Sequence, residues 1–168
     1  SLLFYAAGTV YQATHTMEIE QLGGLIKKMP HTAALFLIAA LAICGIPPFN
    51  GFISEFLIYS GLFSGINSNH LPSAMMMIIA IFGLVIIGGL AMLCFTKAFG
   101  IIFLGVERHP YHKMVQEAEP SKLFPKYSVA ALIIFIGLVP QLFVGIISRP
   151  VSLFTGESAN ISGLEITS

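Results

Sequence analysis

The chain has 168 residues, 56% of them hydrophobic and only 10% charged, with eight basic and eight acidic side chains. A soluble domain carries about 25% charged residues, so a mean hydropathy of +0.88 excludes that class and indicates a membrane protein whose main surroundings are the lipid bilayer. Balanced charge without clustered Lys and Arg also argues against nucleic acid as a partner, because such binding neutralises phosphates with basic side chains. Cys44 and Cys94 both fall inside apolar runs, which argues against a disulfide framework and against a metal site.

The chain opens on an apolar stretch without an initiator Met, a basic start or a small-residue cleavage site, so it does not read as a signal peptide. A helix over 1–15 would be ~22 Å long, short of the ~30 Å hydrocarbon core, and is expected to be the end of a helix whose beginning lies in a larger polytopic protein. Further apolar segments follow at 33–63, 73–105 and 127–147, separated by loops at 16–32, 64–72 and 106–126, with a polar tail or linker over 148–168. The expected fold is therefore all-α, a polytopic transmembrane helix bundle.

The segment 33–63 is too long for one straight crossing and too short for two. At its middle stands Gly45-Ile-Pro-Pro-Phe-Asn-Gly51, where Pro47 and Pro48 remove two backbone donors and Gly45 and Gly51 permit a turn. The reading is one discontinuous helix, two half-helices joined by an unwound link. Non-helical backbone at membrane depth persists where protein or a water-filled cavity satisfies it, as in many transporters. Charge asymmetry agrees: with one crossing, the loops 16–32 and 106–126 share a side and carry Lys27, Lys28, Arg108, Lys113, Lys122 and Lys126, against Arg149 on the other. The positive-inside rule then puts both loops in the cytoplasm, with the chain multi-pass in the inner membrane.

The segment 73–105 must tilt, break near Gly88-Gly89 or protrude, and its Met75-Met76-Met77 run reads as lipid-facing or core filler. In 127–147, Lys126 and Arg149 read as interfacial anchors and Pro140 as a kink.

Only Glu55 and Lys97 stand alone inside long charge-free runs. A carboxyl removed from water costs several kcal/mol, which favours its protonated form and suits a proton relay; the bland alternative is a permanently protonated Glu bonded to a neighbouring helix. Asn50, Ser54 and Tyr59 lie at helical spacings that can share a face with Glu55. Lys97 either takes part in proton movement or snorkels to the headgroups. Tyr5, Thr9, Gln12 and Thr16 form a polar stripe on the first helix, of the kind that faces protein or water. His15 ends that stripe and reads as a proton acceptor or a plain interfacial His. His31, His70, His109 and His112 read as loop histidines without a metal.

The sequence Thr16-Met-Glu-Ile-Glu-Gln-Leu-Gly-Gly-Leu-Ile-Lys-Lys-Met-Pro30, followed by Gly45-Ile-Pro-Pro-Phe-Asn-Gly-Phe-Ile-Ser-Glu-Phe56 and Phe95-Thr-Lys-Ala-Phe-Gly100, resembles the antiporter-like ion-translocating subunits. These are shared by respiratory complex I (the NADH dehydrogenase), the multisubunit cation/proton antiporters and the group 4 hydrogenases. The motifs are most similar to the branch of hydrogenase-4 component B and formate hydrogenlyase. The resemblance implies two inverted repeats, each with a broken helix, of which this chain looks like a C-terminal-half fragment.

It further implies that Glu55 occupies the place of the proton-exchanging Lys or Glu of the second broken helix, and that Lys97 matches a Lys of hydrogenase-type members. The expected function is proton translocation, with sodium as the alternative ion, coupled to redox chemistry in other membrane subunits and a soluble redox arm. The chain is read as an ion-translocating part of an oxidoreductase complex, with no cofactor, no catalytic redox residue and no metal ligand of its own. The rival readings are a non-conducting membrane anchor for a redox arm and a stand-alone transporter or cation/proton antiporter subunit.

Overall fold

The computed structural model describes residues 2–66, 71–108 and 115–155, without the side chains of 148, 149 and 151–155. His70, His109, His112 and Lys113, the tail from Gly156 onward and the side chain of Arg149 lie outside the described residues. Among those residues there are six α-helices and no strand: α1 (Leu2–Thr14), α2 (Pro30–Ile43), α3 (Asn50–Ile66), α4 (Leu71–Phe103), α5 (Pro120–Leu138) and α6 (Pro140–Thr155).

The centre of the bundle is α2. Thr32, Ala33, Leu35, Phe36, Ala39, Ala40 and Ala42 are all buried, and the four alanines let neighbouring backbones approach closely. On one side α2 meets α1 and the end of α4, where Phe36 packs on Phe103 with ring centroids 5.2 Å apart and on Phe99 at 6.4 Å. On the other side Leu35 and Ala39 join Leu2 of α1 and Leu123 and Ala130 of α5. Both α2 and α3 lie along α4 and α5.

In α3 no residue is buried, and in α4 only Ile102 and Phe103 are. Many large apolar side chains of both helices, among them Phe56, Phe63, Phe82 and Leu93, point out of the chain. In a bilayer such faces meet lipid or further helices. α4 runs unbroken through Gly88-Gly89 for 33 residues, ~50 Å at 1.5 Å per residue, so of the alternatives for this segment the break is not the one realised.

The last apolar segment divides differently from the expected 127–147. Its helix starts at Pro120, because Pro is favoured at the first helical position and the lysines that follow do not oppose helix formation. It stops at Leu138, and α6 begins afresh at Pro140 and reaches Thr155, into the expected tail. Val139, forced out of helical geometry ahead of Pro140, has φ −126° and ψ 63°.

The loops after α1 and α4 meet at one end of the bundle. The Gly24 N–H donates to the Leu104 carbonyl at 3.1 Å, Lys28 pairs with Glu107 at 2.8 Å, and Arg108 donates to the Glu20 carbonyl at 3.4 Å.

Candidate functional site

The stop of α2 is chemically complete. Gly45 takes φ +66°, the left-handed conformation that glycine adopts without a steric penalty. The Ile46 N–H then donates to the Leu41 carbonyl at 3.2 Å and the Gly45 N–H to the Ala42 carbonyl at 3.4 Å. This is the Schellman pattern of helix ends, with Pro47 following where the helix cannot continue. The Pro47-Pro48 peptide is cis, Phe49 is buried, and its N–H donates to the Ile46 carbonyl at 3.1 Å.

Three close approaches hold the two helices and the link together. A Cβ on Gly51 would collide with the Ala42 carbonyl oxygen, and one on Gly137 with the Pro48 carbonyl oxygen. Thus α3 begins directly against the end of α2, and α5 lies on the link through a glycine notch. The third approach concerns Glu55. Its side chain folds back so that a Cβ on Gly45 would stand 2.7 Å from Oε1 and 2.6 Å from Cδ. The half-buried carboxyl therefore covers the unwound link, within electrostatic reach of Cys44.

Around Glu55, Asn50 and Tyr59 are half-buried, whereas Ser54 is exposed and donates to the Gly51 carbonyl of its own helix at 2.8 Å. Lys97 is exposed on α4, and among the described residues it forms no ion pair with Glu55. The ends of α3 and α4 meet where Gly65 packs on Met77. Counting back equally along the two antiparallel helices puts Glu55 about level with Ile87, so Lys97 stands ~15 Å farther along α4.

The polar stripe of α1 does not share one inner face. Thr9 is buried, while Tyr5 and Gln12 are exposed. His15 is exposed with φ +56°, and its N–H donates to the Tyr11 carbonyl at 2.8 Å; it closes α1 in a left-handed cap.

Two side chains outside the sequence-predicted site residues, Glu117 and Lys126, also tie the helices together. Glu117 accepts from the His31 N–H at 2.9 Å, the Thr32 N–H at 3.3 Å and the Thr32 hydroxyl. A carboxylate from the segment before α5 thus caps the N-terminus of α2, where orphan N–H groups and the helix dipole favour negative charge. His31 Nδ1 lies 2.7 Å from the Tyr127 hydroxyl, and the Lys126 ammonium donates to the Thr9 hydroxyl oxygen. No sequence signal joins these pairs, since each links residues more than 80 positions apart.

Residues 1–83 match the family described as NADH:quinone oxidoreductase/Mrp antiporter, transmembrane. The chain is 40% identical over 137 residues to hydrogenase-4 component B of Escherichia coli, covering 82% of this chain and 20% of that protein. It is 37% identical to formate hydrogenlyase subunit 3 of the same organism, covering 80% and 22%. To Na(+)/H(+) antiporter subunit A1 of Staphylococcus saprophyticus it is 34% identical, covering 94% and 20%. The chain thus spans about a fifth of the length of these relatives. In fold it matches a chain of the Mrp complex of a Dietzia species, with a TM-score of 0.61 and 21% identity over 84% of this chain and 32% of that one. Residues 1–83 thus match the transmembrane family of NADH:quinone oxidoreductase and Mrp antiporter subunits, and the chain is membrane-embedded and antiporter-like.

Proposed function

We propose that the chain is part of a proton-translocating subunit of a membrane complex, in which Glu55 takes up and releases protons at the break between α2 and α3. The observation that carries this reading is the Glu55 carboxyl covering Gly45. A carboxyl held on unwound backbone has a reason to be in the membrane that a packing residue or a passive anchor lacks. In this reading α2 and α3 form one interrupted crossing, and Asn50 and Tyr59 flank the proton path. Ser54 is the weaker candidate because its hydroxyl already has a helix partner. On α1, Thr9 is the stripe residue that faces protein.

The joined loop end, where Glu20, Gly24 and Lys28 meet Leu104, Glu107 and Arg108, is cytoplasmic in this reading and with Glu117 offers the docking face for a soluble redox arm. The other partners are further membrane subunits of a hydrogenase or quinone-reducing complex. Lys97 then modulates the path electrostatically from a distance rather than by contact. Sodium is the second reading, favoured by the likeness to a Na(+)/H(+) antiporter subunit.

An apolar carbodiimide, which attacks protonated carboxyls in apolar surroundings, tests the assignment on the full-length subunit in its complex. It should modify Glu55 and stop proton uptake into vesicles in parallel. Modification of Glu55 with uptake unaffected would contradict the reading.

A further inference from the structure

We infer that Lys126, on the seam between α1 and α5, is a second proton-exchanging group of this subunit, working against the Thr9 hydroxyl. The inference rests on the proton-conducting reading above. Lys126 lies six residues inside α5, ~9 Å from its start, and is partly buried. A snorkelling lysine runs its stem outward to water. This one instead reaches across to another helix and donates to Thr9 Oγ1. Thr9 is only 7% exposed, and its single hydroxyl proton is directed to the Tyr5 carbonyl at 2.8 Å. Its oxygen therefore serves Lys126 purely as an acceptor and fixes Nζ on the seam. An ammonium carries three donors, and among the described residues Thr9 accepts one of them.

The charged groups acting on Lys126 are Glu117 and Lys122. Of the helices packed on α5, α1 has no charged side chain but carries Tyr5 and Tyr11, α2 carries His31, α3 carries Glu55 and Tyr59, and α6 carries Arg149. A cation between a carboxylate at the loop end and a buried hydroxyl deeper in the seam is suited to pass protons inward. In the step, one Nζ–H bond breaks and the nitrogen keeps the electron pair as a neutral amine. The proton goes to a water acceptor in the seam, and a proton from the loop side restores the ammonium.

Arginine separates this role from an anchor, because its guanidinium keeps the charge but does not release a proton in proteins. In the complete subunit, assembled and reconstituted in vesicles, Lys126→Arg should lower proton uptake ~10-fold or more at an unchanged amount of assembled complex. Lys126→His should retain uptake with its pH profile moved about one unit or more to the acid side, since imidazole titrates well below an amine. Wild-type uptake in Lys126→Arg, or an unmoved profile in Lys126→His, would overturn the inference; if the arginine variant does not assemble, the histidine variant decides. Glu55→Gln run in parallel keeps the two assignments apart. Loss in Glu55→Gln with none in Lys126→Arg overturns Lys126 alone, and the opposite pattern supports Lys126 while overturning Glu55.

Discussion

The Glu55 carboxyl rests on the Cα face of Gly45, ten positions upstream and on the far side of a double-proline link. Gly45 serves two ends there: it turns the backbone with φ +66° and leaves room for the carboxyl. Gly45→Ala introduces a left-handed alanine, at ~1–2 kcal/mol, and displaces Glu55. The expected result is a lower thermal midpoint in detergent together with reduced proton uptake. Gly61→Ala, in α3 with nothing within 4 Å of its Cβ position, should instead stabilise by ~0.5–1 kcal/mol and leave uptake unchanged.

Gly137 supports the same link from α5. Its Cβ would meet backbone, the Pro48 carbonyl, rather than a side chain that can swing away. Gly137→Ala should therefore cost at the upper end of the ~1–3 kcal/mol typical of overpacking. Hydrogen exchange checks the location: protection should fall in α5 and at Phe49–Phe52, and stay unchanged in α1.

Glu117 caps α2 from 86 positions away. Glu117→Ala leaves the His31 and Thr32 N–H groups without their acceptor, a loss of ~1–3 kcal/mol. Glu117→Gln keeps one carbonyl oxygen but no charge and should fall between the two. The readout is amide exchange in the first turn of α2, which should quicken in that order.

The Lys28–Glu107 bridge ties the two loops, yet each side chain is 37% exposed. Solvent and salt screen such a pair. Lys28→Ala should cost less than ~1 kcal/mol, with the difference from wild type shrinking further at high salt in the same thermal assay.

Much of this arrangement is local and therefore readable from the chain. A glycine and two prolines in a row end a helix by backbone geometry alone, and Glu55 stands out because no charge lies near it in sequence. The loop charges put 16–32 and 106–126 on one side, and the Lys28–Glu107 and Gly24–Leu104 contacts join them there. What depended on packing was not readable. Lys126 looks like an anchor because it borders an apolar run, and only the approach of α1 gives it Thr9. The stripe Tyr5, Thr9 and Gln12 has a common helical spacing, but α5 covers Thr9 alone. Pro140 reads as a kink, whereas Val139 leaves helical geometry altogether and separates α5 from α6.

In the proposed function Glu55 itself carries the proton. The most direct measurement is proton uptake by vesicles containing the full complex, comparing wild type, Glu55→Asp and Glu55→Gln at matched amounts of assembled subunit. Glu55→Asp should retain partial uptake, and Glu55→Gln, isosteric but unable to release a proton, should lose ~100-fold or more. Uptake in Glu55→Gln equal to that of wild type would contradict this role.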